Sequence, residues 1–137
     1  MIFVELSTQS SSYSSLGWCR IVSQAESPQN TTLVMRLNLG MIERTRVSER
    51  NRRADGFIPF AGLGRRDRYA EVLGHELTHA LRLLLDADYM DLYRERKAKL
   101  CSRSPDNRSI DSLTSLIERP AESAEVEIWR ELTARHK

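Results

Sequence analysis

Along residues 31–39 apolar side chains recur at every second position. Leu33, Met35, Leu37 and Leu39 fall on one face and Val34, Arg36 and Asn38 on the other, the period of a half-buried strand. Gly40 is expected to end it. Two shorter apolar runs, residues 2–6 and 18–23, predict further strands before it. They are separated by a serine-rich loop at 7–15 and closed by the turn-rich Glu26-Ser27-Pro28-Gln29-Asn30. Beyond residue 64 the period lengthens to that of helices. Asp67 can cap a helix from about 68 to about 85, and residues 86–100 form a second, with Tyr89, Leu92, Tyr93 and Leu100 on its apolar side. After a loop at 101–109 comes a short amphipathic piece at 110–117. Pro120 then fits the first turn of a last helix, about 121–134, where its missing N–H costs little. Strands followed by helices predict an α+β fold, a small N-terminal sheet with helices after it.

Length and composition narrow the class. A chain of 137 residues with 40% hydrophobic and 29% charged residues has the composition of one globular domain, 1–137, large enough for a real core. Its net charge of +2 gives no bulk argument for nucleic acid. Residues 41–53 are rich in arginine (Arg44, Arg46, Arg50, Arg52, Arg53), but Glu43 and Glu49 interleave and aromatics are absent, which favours a solvated face or a connection. Cys19 and Cys101 lie far apart in no metal-binding spacing, as free thiols in a reducing compartment do. No apolar run reaches the ~20 residues of a membrane span. The first residues, interrupted by Glu5, lack the basic start of a secretory signal. A cytoplasmic protein, or one exported without a classical signal peptide, is expected.

The chemistry is concentrated in Gly74-His75-Glu76-Leu77-Thr78-His79-Ala80, an HExxH string inside a predicted helix. Four residues make slightly more than one turn, so His75 and His79 leave the same face with ring nitrogens close enough to share a metal ion. Glu76 sits beside that face, where a water on the metal would be. The flanks agree: Val72 and Leu73 precede the motif and Ala80, Leu81, Leu83, Leu84 and Leu85 follow it.

Zinc needs a third protein ligand. The short HExxHxxGxxH spacing is not met, because Arg82 and Leu85 occupy those positions, and His136 lies at the very C-terminus. A carboxylate from Glu118-Arg119-Pro120-Ala121-Glu122-Ser123-Ala124-Glu125 remains. Glu122 is favoured: with Pro120 opening the helix, Glu122 lies in the first turn, on rigid backbone at the positive end of the helix dipole. Glu118 precedes Arg119-Pro120 and is placed more loosely. Glu125, about one turn beyond Glu122, can also support a ligand histidine by hydrogen bonding. Two histidines and a carboxylate leave a fourth position open, as in catalytic rather than structural zinc sites.

With these residues the chain resembles the gluzincin branch of the zincin metallopeptidases, over roughly residues 69–129. The long spacing to the glutamate is similar to that in anthrax lethal factor and in effector-type bacterial zinc proteases, and the short chain to single-domain minimal gluzincins. The resemblance implies one Zn2+ per chain held by His75, His79 and a downstream glutamate. It implies a small sheet packed on the active-site helix, whose other faces lie in the core, and an extended peptide bound between sheet and helix. Residues 31–39 would be the cleft-edge strand. It also supports Glu118, since a ligand glutamate followed by alanine and an acid fits the family spacing. The implied activity is zinc-dependent metalloendopeptidase, hydrolysing peptide bonds through a zinc-activated water with Glu76 as general base. The expected partner is a protein or peptide substrate, with neither nucleic acid nor membrane. Tyr89, Tyr93, Arg119 and Arg130 are chemically able to stabilise an oxyanion, and the spacing selects none of them. The alternative is a zincin-like regulatory or protein-binding module with a non-catalytic metal site.

Overall fold

A computed structural model describes residues 2–7, 16–23 and 31–135; the serine-rich segment, the turn at 26–30 and His136 lie outside the described residues. Three strands, β1 (Ile2–Ser7), β2 (Gly17–Ser23) and β3 (Thr32–Asn38), form a mixed sheet in the order β1-β3-β2. β1 runs parallel to β3 and β2 antiparallel to it. The alternation read from the sequence is that of β3, whose Leu33, Met35 and Leu37 are buried on the helix side. However, β3 is the central strand, hydrogen-bonded on both sides, so it has no free edge for a substrate backbone. The strand beside the motif helix is β2, which among the described residues is an edge strand.

Gly40 does not end the strand. Asn38 does, by turning its side chain onto the Met41 N–H at 3.2 Å and capping a short helix, α1 (Leu39–Arg44), that the pattern did not predict. The arginine-rich connection continues through a 3₁₀ turn (Glu49–Asn51) into a loop that buries Phe57, Phe60 and Leu63. Phe60 takes a left-handed φ of 67°, unfavourable for a bulky residue, and complete burial of its ring holds it there.

The motif helix α2 (Arg65–Leu85) starts earlier than predicted, from Gly64, with Asp67 in its first turn rather than at the cap. Asp86 then ends α2 and caps α3 (Ala87–Leu100), its side chain accepting the Tyr89 N–H at 3.2 Å. The largest departure follows. The two C-terminal helical pieces are one helix, α4 (Asn107–Arg135), with Pro120 inside it. A proline there forfeits one backbone hydrogen bond and strains the turn, at about 3 kcal/mol. The helix runs on because Ile110, Leu113, Ile117 and Ala121 form one buried stripe across the proline.

Leu33 and Met35 from β3 pack with Ala80 and Leu83 of α2, Tyr89 and Met90 of α3 and Ile117 of α4. A second cluster joins Leu37, Ile42, Phe60 and Val72. The sheet thus packs on the helix that bears the motif, with α3 and α4 behind it, the α+β zincin-like arrangement. One expectation about α2 is corrected: Leu73, Leu77, Leu81 and Leu85, spaced by four, are not in the core but form a stripe 37–79% exposed. Among the described residues no helix is long and apolar enough to cross a membrane.

Candidate metal centre

α2 and α4 approach closely at Gly74, where a Cβ would lie 2.0 Å from the Ile128 side chain; this explains a glycine in mid-helix despite its ~0.5–1 kcal/mol penalty. That contact, one residue before His75, brings the acidic segment of α4 over the motif. His75 Nε2 and His79 Nε2 stand 3.2 Å apart, and each is 3.1 Å from Glu118 Oε2. Ligand atoms ~2.0–2.1 Å from a tetrahedral zinc ion lie about 3.3–3.4 Å from one another, so a triangle of this size fits one ion. Among the described residues this is the His/Cys/Asp/Glu group able to hold a metal. His75 and His79 of the HExxH motif and Glu118 form a clustered triad consistent with a gluzincin-type site.

Glu118 stands where the sequence favoured Glu122. The reason is the continuous helix. Glu118 is already held in helical backbone, not in a loose pre-proline position, and Glu122 lies four residues, ~6 Å, further along the axis. Glu122 is not in the cluster; its backbone carbonyl accepts from Arg53 Nη2 at 3.4 Å. Glu125 faces the other side of His75, its Oε2 3.8 Å from Nδ1, and Arg53 Nη1 donates to that same oxygen. At 3.8 Å this carboxylate is too far for a hydrogen bond and acts on the ring through its charge.

The charges reinforce the arrangement. Burial pulls the His75 imidazole down, but the Glu118 and Glu125 carboxylates beside it outweigh this and raise its pKa to about 10. Burial likewise works to raise Glu118, yet the His75 and His79 imidazoles, each with Nε2 3.1 Å from its Oε2, hold it well below the ordinary carboxylate range. Glu76 is buried beside the triad without joining it, and burial pushes its pKa up. Glu71, one turn before His75 and wholly buried, is raised to about 8, by burial first and by the nearby Glu125 second.

Glu76, His79 and Glu118 line a narrow cavity of about 150 Å³ whose other wall is Gly17, Trp18 and Cys19 of β2, with Tyr89, Tyr93 and Arg96 of α3 at one side. Burial, and then the Glu76 charge, push the Cys19 thiol up to about 12, so it is an inert neutral group in that wall. A larger cavity, about 600 Å³, is lined by Phe57 and Trp129 among others and by none of the triad. Of the four residues weighed as oxyanion donors, Tyr93 faces the triad cavity, Arg130 lines the larger one, and Arg119 is exposed. The Tyr89 hydroxyl is engaged by His79 and the Ile117 carbonyl. Sequence reasoning missed Gly17, Arg53 and Arg96. Arg53 was one of five arginines in a row of similar ones, and nothing local marked Gly17 or Arg96.

Compared with protein families, with curated proteins and with solved structures, the chain has no match among any of them.

Proposed function

We propose that this chain is a single-domain zinc-dependent metalloendopeptidase, with one Zn2+ held by His75, His79 and Glu118 and with Glu76 as general base. The observation that supports this reading is the cluster of His75, His79 and Glu118 with a buried carboxylate, Glu76, beside it and outside the cluster. A site that only bound metal would have no use for Glu76. Two imidazoles and one carboxylate suit zinc and leave a coordination position open. When bound there, Zn2+ supplies a Lewis acid and a water acidified to a pKa of about 7. Glu76 accepts the proton of the attacking water and passes it to the leaving nitrogen. Among the described residues β2 has one edge with no partner strand, which supports an extended substrate whose backbone pairs along it while the cavity holds the scissile bond. Tyr93 and Arg96 offer donors at the cavity's side for the oxyanion.

Protein purified after growth with added zinc is expected to contain one zinc per chain and to cleave peptides. A chelator should abolish cleavage, and zinc should restore it. Elemental analysis showing no metal after supplementation sinks the reading.

β2 sets where Glu76 can lie. A Cβ at Gly17 would stand 2.9 Å from the Arg36 carbonyl oxygen and 3.1 Å from Glu76 Cγ. Gly17→Ala must therefore move the strand or the carboxylate, and an ~1 Å misplacement of a reacting group costs ~10²-fold in rate. The expected result is a kcat lowered ~10–10²-fold with zinc content unchanged, read by steady-state kinetics and metal analysis together. Unaltered kcat would show that the strand does not fix Glu76.

A further inference from the structure

We propose that the Tyr89 hydroxyl decides which nitrogen of His79 carries the proton and locks that choice to the placement of Glu118. Tyr89 is then a positioning residue of the metal centre; the inference rests on the metallopeptidase reading above.

The phenol oxygen is 2.6 Å from His79 Nδ1 and 3.0 Å from the Ile117 carbonyl oxygen. It has one proton to give, and a carbonyl can only accept. With that proton on Ile117, the oxygen receives the N–H of Nδ1, so Nε2 of neutral His79 carries the lone pair. Nε2 is the atom facing His75 and Glu118. The opposite arrangement, a proton given to Nδ1, would put an N–H on Nε2 and close the site to a metal. The carbonyl acceptor belongs to the residue before Glu118. One buried hydroxyl therefore joins a ligand on α2 to the backbone that carries the ligand on α4.

The local sequence explains how the phenol gets there. Asp86 turns the chain at the end of α2 and caps α3 through the Tyr89 N–H. The Tyr89 ring, 5% exposed, then lies back against His79, with centroids 6.4 Å apart and planes 30° from parallel. Phenylalanine keeps this packing and removes the hydroxyl alone.

The test compares Tyr89→Phe with the unaltered full chain, with zinc ion as the probe. Zinc affinity is measured by competition with a chromophoric chelator, folding by circular dichroism, and the imidazole nitrogens by 15N NMR of histidine-labelled protein. Tyr89→Phe is expected to fold and to bind zinc ~10–100-fold more weakly, the usual cost of losing a partner of a ligand histidine. In the unaltered protein His79 should carry its proton on Nδ1 and meet zinc through Nε2. A folded Tyr89→Phe with full affinity overturns the proposal, provided His79→Ala has lost zinc. If His79→Ala keeps zinc, the metallopeptidase reading falls and the proposal with it. Should Tyr89→Phe fail to fold, the spectrum of the unaltered protein decides: an unprotonated Nδ1 on His79 overturns the proposal.

Discussion

Glu76→Gln is expected to keep its zinc and to lose at least ~10²-fold in kcat, the typical minimum contribution of a positioned general base. The amide has the size and shape of the carboxyl group, so it fits the same buried space against Gly17. It cannot accept a proton from water. Because Glu76 lies outside the triad, metal content should not change, and this separates loss of chemistry from loss of the site. Kinetics on a quenched fluorescent peptide, with zinc measured on the same sample, give both quantities. Turnover equal to that of the unaltered enzyme would remove Glu76 from the mechanism.

Glu118→Ala should lose zinc affinity by well over the ~100-fold that a supporting residue costs, whereas Glu122→Ala should remain close to the unaltered protein. Glu118 Oε2 is 3.1 Å from both histidine nitrogens, and its removal leaves two ligands. Glu122 lies about one turn away with its side chain outside the cluster. Glu125→Ala belongs in the same series as an intermediate case, because Glu125 faces His75 Nδ1 at 3.8 Å and leaves Glu118 in place. Chelator competition on the three variants orders them. The order fails if Glu122→Ala releases the metal and Glu118→Ala retains it.

What the sequence made legible was local. The spacing of His75 and His79 needs only helical geometry, and the burial of Leu33, Met35 and Leu37 needs only the period of a strand. The choice between Glu118 and Glu122 was different, because it turned on Pro120. A proline is a sound signal for a helix start, but here the apolar stripe from Ile110 to Ala121 outweighs it, and only packing against the other helices shows that. The four exposed leucines of α2 misled in the same way: apolar residues flank the motif on both sides, yet one flank has no described element over it. β3 has the best strand pattern because it is central, and for that reason it is not the edge that faces the cavity. In the sequence Tyr89 reads as an apolar-side residue able to donate to an oxyanion. Its hydrogen bonds to His79 and Ile117 depend on three helices meeting, which no spacing in the chain encodes.

The triad spans two helices, with His79 and Glu118 separated by 39 positions in the chain. An ion held there is a cross-link as well as a reagent. By mass action, a ligand at a thousand times its dissociation constant adds about 4 kcal/mol to folding, against the ~5–15 kcal/mol that holds a typical domain together. If zinc is that ion, its supply would bear on the lifetime of the folded chain as well as on turnover, because losing it removes one tie between α2 and α4.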